Sequence, residues 1–186
     1  MDKIFLFEDY LDIYKKTIYK NDIYENLQTL KKLIIETNEK GKKIIFAGNG
    51  GSAAMASHCA VDLTKNAKIR AINFNDADLI TCFANDFGYE RWVEKSLDFY
   101  GDHGDVAILI SSSGNSMNMV NASKRSRDLG IKVVTFTGFD SNNELKKEGD
   151  LNFWVDSKAY NIVEMTHHIW ILSVVDSIIG SAEYSA

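Results

Sequence analysis

The 186-residue sequence predicts an α/β protein whose parallel sheet is covered by helices on both faces. Short runs rich in β-branched residues alternate with helical segments, and this alternation indicates crossover connections between parallel strands. One of these runs, residues 106–110, is entirely apolar, as a strand buried on both faces is. The predicted strands are residues 44–47, 69–74, 106–111, 132–137 and 151–155.

Helical periodicity extends from about residue 9 to residue 39, where Lys40-Gly41-Lys42 ends it. No internal repeat, low-complexity tract or linker divides the chain, which predicts a single domain over residues 1–186. Within it, residues 1–40 are expected to form N-terminal oligomerisation helices, because their aromatic residues lie among charged ones as at subunit interfaces. Residues 41–186 are expected to form the sheet core and the C-terminal helix. The remaining helices are predicted at 53–64, 77–85, 89–99, 116–129, 141–147 and 159–179.

Composition limits the classes of partner. The net charge of −5 offers no basic surface for nucleic acid or for an anionic membrane. No uninterrupted apolar run approaches the ~20 residues that span a bilayer, and the N-terminus does not have the pattern of a signal peptide. Two cysteines, Cys59 and Cys82, are too few for a disulfide framework. We interpret both as buried thiols in a reducing compartment, which predicts a cytoplasmic protein.

Two polar turns follow predicted strands and precede predicted helices. The first, residues 48–52, is Gly-Asn-Gly-Gly-Ser, and the second, residues 111–116, is Ser-Ser-Ser-Gly-Asn-Ser. Backbone N–H groups at a helix N-terminus favour an anion, and serine hydroxyls donate readily to phosphate oxygens. Ligands of open α/β sheets bind at the carboxyl ends of the strands, where both turns are expected. The sequence therefore predicts a phosphate cradle, with His58 and Asp62 on one face of the helix after the first turn.

Other interpretations of these turns are weaker. Either turn alone is also consistent with a helix cap that binds no ligand, but two such turns after two parallel strands favour a ligand site. A dinucleotide site is disfavoured because residues 48–53 lack the third spaced glycine and no acidic residue ends the next strand. A P-loop is excluded because no Gly-Lys-Ser/Thr sequence is present.

Three segments together resemble the sugar isomerase (SIS) domain, and more narrowly its phosphoheptose isomerase branch. They are Gly-Asn-Gly-Gly-Ser-Ala-Ala at 48–54 with His58 downstream, Ala-Asn-Asp-Phe-Gly at 84–88, and the serine turn at 111–116. The resemblance implies a five-stranded parallel sheet in a three-layer α/β/α sandwich, flavodoxin-like, with an extra N-terminal helix. It implies substrate binding by Asn49, Gly50, Gly51, Ser52, Asn85, Asp86, Ser111, Ser112, Ser113 and Ser116.

The resemblance also implies an activity. Such enzymes convert sedoheptulose 7-phosphate into heptose 7-phosphate, a precursor of surface polysaccharides such as lipopolysaccharide or capsule. They are homotetramers whose active sites are shared between subunits. A ketose–aldose isomerisation moves a proton between C1 and C2 through an enediol, and so needs a base, an acid and a group that stabilises the oxyanion. The alternative is a non-catalytic SIS module that binds a sugar phosphate or a protein partner such as the replication initiator.

The catalytic and metal residues depart from the family pattern. Relatives use a glutamate one turn after the first-helix histidine and a histidine on the last helix, and these two bind zinc together with the first-helix histidine and a last-helix glutamine. Here Asp62 replaces the glutamate, and its carboxylate is withdrawn by roughly 1–1.5 Å, a displacement that can reduce the rate on the order of 100-fold. If Glu164 matches a family glutamate, Val163 and Ile171 occupy the glutamine and histidine positions. Zinc binding is therefore an expectation from the family, and these two replacements remove two of its expected ligands.

Helix geometry offers a partial substitute. Val163, His167 and Ile171 are four residues apart and so share one face of the last helix. The sequence predicts Asp62 and His167 as catalytic residues, and His58, Asp62 and His167 as metal ligands. His168 points about 100° away from that face and is the poorer candidate. The alternative for His167 is a hydrogen-bonded histidine at a subunit interface.

Overall fold

The computed structural model describes residues 6–20 and 22–184, and these form five strands and eight helices. All five strands are parallel, in the order β2-β1-β3-β4-β5. The predicted three-layer α/β/α sandwich is therefore confirmed. The strands are β1 (Ile44–Gly48), β2 (Ala71–Asn73), β3 (Val106–Ser111), β4 (Lys132–Thr137) and β5 (Leu151–Trp154). The helices are α1 (Phe7–Ile18), α2 (Ile23–Glu39), α3 (Gly51–Lys65), α4 (Ala77–Phe87), α5 (Trp92–Tyr100), α6 (Met117–Asp128), α7 (Glu144–Glu148) and α8 (Tyr160–Ile179).

Side chains of the buried strands alternate between two hydrophobic cores. Ile44 and Phe46 of β1 belong to a core that includes buried residues of α2, α3 and α8. Ile45 and Ala47 belong to a core on the opposite face, shared with α5 and α6. Because successive strand residues point to opposite faces, a strand covered on both sides is apolar throughout, and this is why β1 and β3 are continuous apolar runs.

The N-terminal periodic segment forms two helices instead of one. The first, α1, ends at Ile18, whose carbonyl accepts a hydrogen bond of 3.1 Å from the indole N–H of Trp170 on α8. That carbonyl lies in the last turn of α1, where carbonyls have no partner within the helix. Both helices then pack on α8, where the Thr17 and Thr166 hydroxyls lie 3.1 Å apart. Partners on α8 thus explain the break that periodicity did not predict.

The strand order places a topological switch point between β1 and β3. The chain leaves β1 toward β2 on one side and returns from β2 to β3 on the other. Gly48 at the end of β1 is in register with Ile110 near the end of β3. The two polar turns therefore emerge side by side at the carboxyl edge of the sheet, where ligands of such folds bind.

Two further features bear on the expectations from composition. By length and composition alone, α8 could cross a membrane, and it is the one helix of the described residues that passes this test. Eight of its residues are buried, which is also what the core helix of a globular domain shows.

Cys59 is buried as expected, and burial raises its pKa to about 12. The prediction that Cys82 is buried is wrong, because α4 has no buried residue and leaves this thiol exposed.

Candidate active site

A cavity of about 210 Å³ lies at the carboxyl edge of the sheet, between the two polar turns and the beginning of α8. Serine residues from both turns line it, so the two segments that the sequence singled out do meet. The full lining is Asn49, Ser52, Ile110, Ser111, Ser112, Ser113, Ser116, Tyr160 and Glu164.

The first turn leads directly into α3. Gly50 has φ of +55°, a left-handed conformation that glycine adopts without strain, and it precedes the helix without any side-chain cap. Gly51 is the first residue of α3 and is packed against the Glu164 carboxylate, so that a Cβ at this position would collide with that carboxylate. The turn thus brings the N-terminus of α3 to the cavity, as an anion site requires.

The second turn supplies hydroxyl groups. Ser111 donates to the Ser116 hydroxyl over 3.1 Å, and the Ser113 hydroxyl accepts from the backbone N–H of Asn115 over 3.2 Å. The Ser112 hydroxyl is buried and makes no hydrogen bond of regular geometry with the protein, although it lies close enough to the Glu164 carboxylate to oppose the rise that burial causes in the pKa of that group. A buried hydroxyl without a partner is costly, and its position in the cavity lining indicates a ligand with acceptor oxygens.

A pair of amides joins the two turns. The Asn49 side-chain amide donates to Oδ1 of Asn118 over 3.0 Å, and the Asn118 side-chain amide donates to Oδ1 of Asn49 over 2.8 Å. The Tyr89 hydroxyl also donates to the Asn49 side-chain oxygen over 3.1 Å. Since Asn118 is buried on α6 and Asn49 follows β1, this exchange fixes the distance between the turns.

Glu164 is the one carboxylate that lines the cavity. It lies in the second turn of α8, half-buried against Gly51 at the N-terminus of α3. Burial raises the pKa of this carboxyl group, and the neighbouring Ser112 hydroxyl partly opposes that shift.

About two to three turns further along α3 lies the predicted histidine–carboxylate pair. His58 Nε2 is 3.3 Å from Asp62 Oδ2, and the other Asp62 oxygen accepts from the Asn66 amide over 3.2 Å. The His58 side chain is 51% exposed, whereas that of Asp62 is 19% exposed. The carboxylate is thus held at both oxygens, and the imidazole is the group more open to a ligand.

The histidine of α8 that contacts this pair is His168. Its ring packs edge-to-face on the ring of His58, with centroids 4.9 Å apart. Burial, and next the proximity of His58, lower the pKa of His168, and Asp62 opposes this. The face of α8 that meets α3 therefore carries Glu164 and His168, which are one turn apart.

The prediction that His167 joins His58 and Asp62 is wrong. His167 is completely buried, and its Nε2 lies 2.9 Å from the Thr137 carbonyl oxygen, to which it donates. Its other ring nitrogen has no partner, and burial lowers its pKa to about 4. Val163 and Ile171 share this face and are buried in the core. The face that was expected to point to the site points to the sheet instead.

Other predicted residues lie apart from the cavity. Asn85 and Asp86 are exposed on α4, where the Asn85 amide donates to the Asp86 carboxylate over 2.9 Å. Neither lines the cavity, so their role in substrate binding stays a prediction.

Sequence reasoning did not assign Tyr160, Glu164 or Asn118 to the site. Tyr160 and Glu164 follow β5, which also ends at the carboxyl edge of the sheet. Because ligands of open α/β sheets bind at that edge, the residues after β5 were candidates on the same grounds as the two turns. Asn118 lies two residues after the serine turn, but nothing in its local pattern indicates the bond to Asn49.

The described residues of one chain do not assemble a zinc site of three ligands. Structural and catalytic zinc ions take at least three protein ligands. Across residues 6–20 and 22–184, no group of three or more His, Cys, Asp or Glu side chains could hold a metal ion. The His58–Asp62 pair supplies two candidate donors, and His167, the third one expected, is buried elsewhere. Within one chain, the described residues thus supply fewer ligands than zinc takes, and the zinc expected from the resemblance stays a prediction.

The fold and the serine-lined cavity define an α/β domain with a candidate phosphate site at the carboxyl edge of its sheet, and comparison with known proteins identifies its family. The family model "SIS domain" matches residues 7–138, so the chain belongs to the SIS-domain family, in its phosphoheptose isomerase branch. It is 34% identical over 175 residues to the phosphoheptose isomerase of Aliarcobacter butzleri (strain RM4018), covering 88% of this chain and 92% of the relative.

Two further relatives agree with this placement. The phosphoheptose isomerase of Helicobacter pylori (strain P12) is 36% identical over 164 residues, covering 83% of this chain and 85% of that one. The solved structure of phosphoheptose isomerase from Neisseria gonorrhoeae superposes with a TM-score of 0.85 at 26% identity, covering 92% and 95% of the two chains. The resemblance in the three sequence segments is thereby confirmed, and it extends over nearly the whole chain.

Proposed function

We propose that this protein isomerises sedoheptulose 7-phosphate to heptose 7-phosphate. The observation that carries the proposal is one helix, α3, that begins at the serine-lined cavity and carries the His58–Asp62 pair further along. The phosphate is held by serine hydroxyls and the N-terminus of α3, and the carbonyl end of the sugar extends toward His58. The names of the relatives support the isomerase over the non-catalytic SIS module.

The distance along α3 suits a seven-carbon substrate. Seven residues separate Gly51 from His58, which is about 10 Å at 1.5 Å per residue. An extended chain from C2 to C7 spans roughly 6 Å at carbon–carbon bonds of about 1.5 Å, and the phosphoester adds roughly 2–3 Å. A heptulose 7-phosphate therefore reaches from the cavity to the neighbourhood of the imidazole, whereas a triose phosphate does not.

The geometry also divides the work of the pair. Asp62 is largely buried, with one oxygen hydrogen-bonded to Asn66 and the other 3.3 Å from His58 Nε2, whereas the His58 side chain is half exposed, so the carboxylate orients the imidazole. His58 then carries the proton between C1 and C2. His168, which contacts the His58 ring, takes the place of His167 as the second acid–base group from the last helix.

An NMR assay of sedoheptulose 7-phosphate with purified protein tests the proposal. We expect turnover by the wild type, and we expect Asp62→Asn to lower it by about 100-fold or more, because general acid–base groups contribute roughly that much. Asp62→Glu keeps the carboxylate but lengthens the side chain by one methylene, so it is expected to retain more turnover than Asp62→Asn. Asp128→Asn removes one negative charge in the same way at an exposed position of α6 and is the matched control.

Two outcomes would contradict the proposal. Absence of turnover by the wild type, with or without added zinc, would leave only the binding function. Full turnover by Asp62→Asn would show that the pair does not act in the reaction.

We further propose a cytoplasmic homo-oligomer, a tetramer in the family manner, that supplies heptose 7-phosphate for surface polysaccharide. Exposed apolar residues on α1 and on the outer side of α8 support the oligomer, among them Phe7, Leu11, Met165 and Ile169. Light scattering of the purified protein tests the number of subunits. Isotope tracing of heptose into surface polysaccharide, in cells with and without the gene, tests the pathway.

A further inference from the structure

The proposed phosphate pocket contains a carboxylate and no cationic side chain. Among the described residues that line the cavity, only Tyr160 and Glu164 can ionise, and none is Lys, Arg or His. Phosphate sites commonly include a Lys or Arg, which offsets the charge of the ligand. Here the serine hydroxyls and the N-terminus of α3 are the donors, and Glu164 adds a negative charge.

We infer that Glu164 makes this pocket selective for a phosphate group that still carries a proton, and that the pocket rejects a fully ionised sulfate of the same shape. The inference deepens the proposed function and rests on phosphate binding in this cavity. Glu164 is then a specificity-determining residue that reads the protonation state of the ligand.

The chemistry follows from counting protons. The second ionisation of a phosphate monoester has a pKa of about 6, so a proton is readily available to a phosphate oxygen near neutral pH. One proton shared between a phosphate oxygen and the Glu164 carboxylate makes a short charge-assisted hydrogen bond. Sulfate has no proton at this pH, so the same approach would bring two anions together without a donor between them.

The position of Glu164 makes this encounter unavoidable. Its carboxylate lies against Gly51, the first residue of α3, which is where the helix dipole favours an anion. An anion that reaches the N-terminus of α3 therefore meets Glu164. The buried Ser112 hydroxyl, which lies beside Glu164 and makes no hydrogen bond of regular geometry with the protein, lines the same cavity and is available to an acceptor there. Burial, which raises the pKa of Glu164, also favours a proton held between the two groups.

Titration with inorganic phosphate and with sulfate at pH 7 and constant ionic strength tests the inference. Dissociation constants come from the ligand dependence of the thermal unfolding midpoint. We expect the wild type to bind phosphate at least about tenfold more tightly than sulfate, since a hydrogen bond to a charged group is worth that much or more. In Glu164→Gln the ratio is expected to fall to about threefold or less, mainly through tighter sulfate binding.

Two further variants separate charge from disruption. Glu164→Asp keeps a carboxylate and is expected to keep the preference for phosphate. Glu25→Gln removes the same charge from an exposed site on α2 and is expected to match the wild type.

Equal binding of the two anions by the wild type, or an unchanged preference in Glu164→Gln, would overturn the inference and leave the proposed function standing. If the wild type binds neither anion nor sedoheptulose 7-phosphate, both proposals fall together.

Discussion

Replacing His167 by glutamine is expected to remove a large part of the acid sensitivity of this fold. His167 is fully buried, and its Nε2 donates to the Thr137 carbonyl, so the other ring nitrogen is unprotonated and without a partner. The rings of Phe136 and Trp170 lie beside it, with centroids 5.5 and 6.2 Å away. A proton on that nitrogen would bury a cation among aromatic rings, which is why its pKa falls from 6.5 to about 4.

The sign and size of the effect follow from linkage. The folded state binds the proton less well than the unfolded state, so this stabilisation is complete above about pH 6.5 and is lost as pH falls toward 4. The fall of the His167 pKa from 6.5 to about 4 corresponds to about 3 kcal/mol, most of which is lost by pH 4.5. Glutamine retains a donor for the Thr137 carbonyl and has no proton to gain.

Urea unfolding at pH 7.5 and pH 4.5 measures this quantity. The free energy of unfolding should fall between these pH values by about 2–3 kcal/mol more in the wild type than in His167→Gln. His103→Gln, at an exposed position between α5 and β3, is the matched control. Equal acid sensitivity of the wild type and His167→Gln would refute the reasoning, and it would reopen the possibility that His167 exchanges protons in the active site.

Two other predictions concern the cavity and the metal. A double-mutant cycle of Asn49→Ala and Asn118→Ala should give a coupling energy of about 1–2 kcal/mol in urea unfolding, because the two amides exchange two hydrogen bonds. A coupling energy near zero would show that this pair does not join the turns. Dialysis against EDTA should leave isomerase turnover within about twofold of the untreated protein, since two candidate ligands, His58 and Asp62, are fewer than zinc requires. A loss of turnover that added zinc restores would contradict this expectation.

The sheet could be predicted from sequence because it depends on local patterns. Strands buried on both faces are rich in apolar and β-branched residues, and this pattern placed β1, β3 and β4 to within one residue at either end. The cavity could be predicted because strand ends fix the position of the turns that follow them. The division between α1 and α2 could not, because it depends on the Trp170 indole of α8, which is remote in sequence from Ile18.

The error at His167 has a different physical origin. Residues 160–179 are apolar on most sides of the helix, so periodicity does not determine which face meets the sheet. A displacement of one residue then rotates the expected site by about 100°, which is the angle between His167 and His168. Contacts across the helix pair, such as that of His58 with His168, determine the rotation, and these are not local in sequence.

This rotation also changes what Val163 and Ile171 mean for catalysis. The sequence presented them as replacements of catalytic and metal-binding groups, yet both side chains are packed in the core beneath α8. Glutamine or histidine at these two positions would be a buried polar group in need of a partner, at a cost of about 1–3 kcal/mol for each one left unsatisfied. In this chain their apolar character therefore suits the packing beneath α8. We therefore expect the residues of α8 that act in the reaction to be those that face α3, Glu164 at the cavity and His168 beside the His58–Asp62 pair.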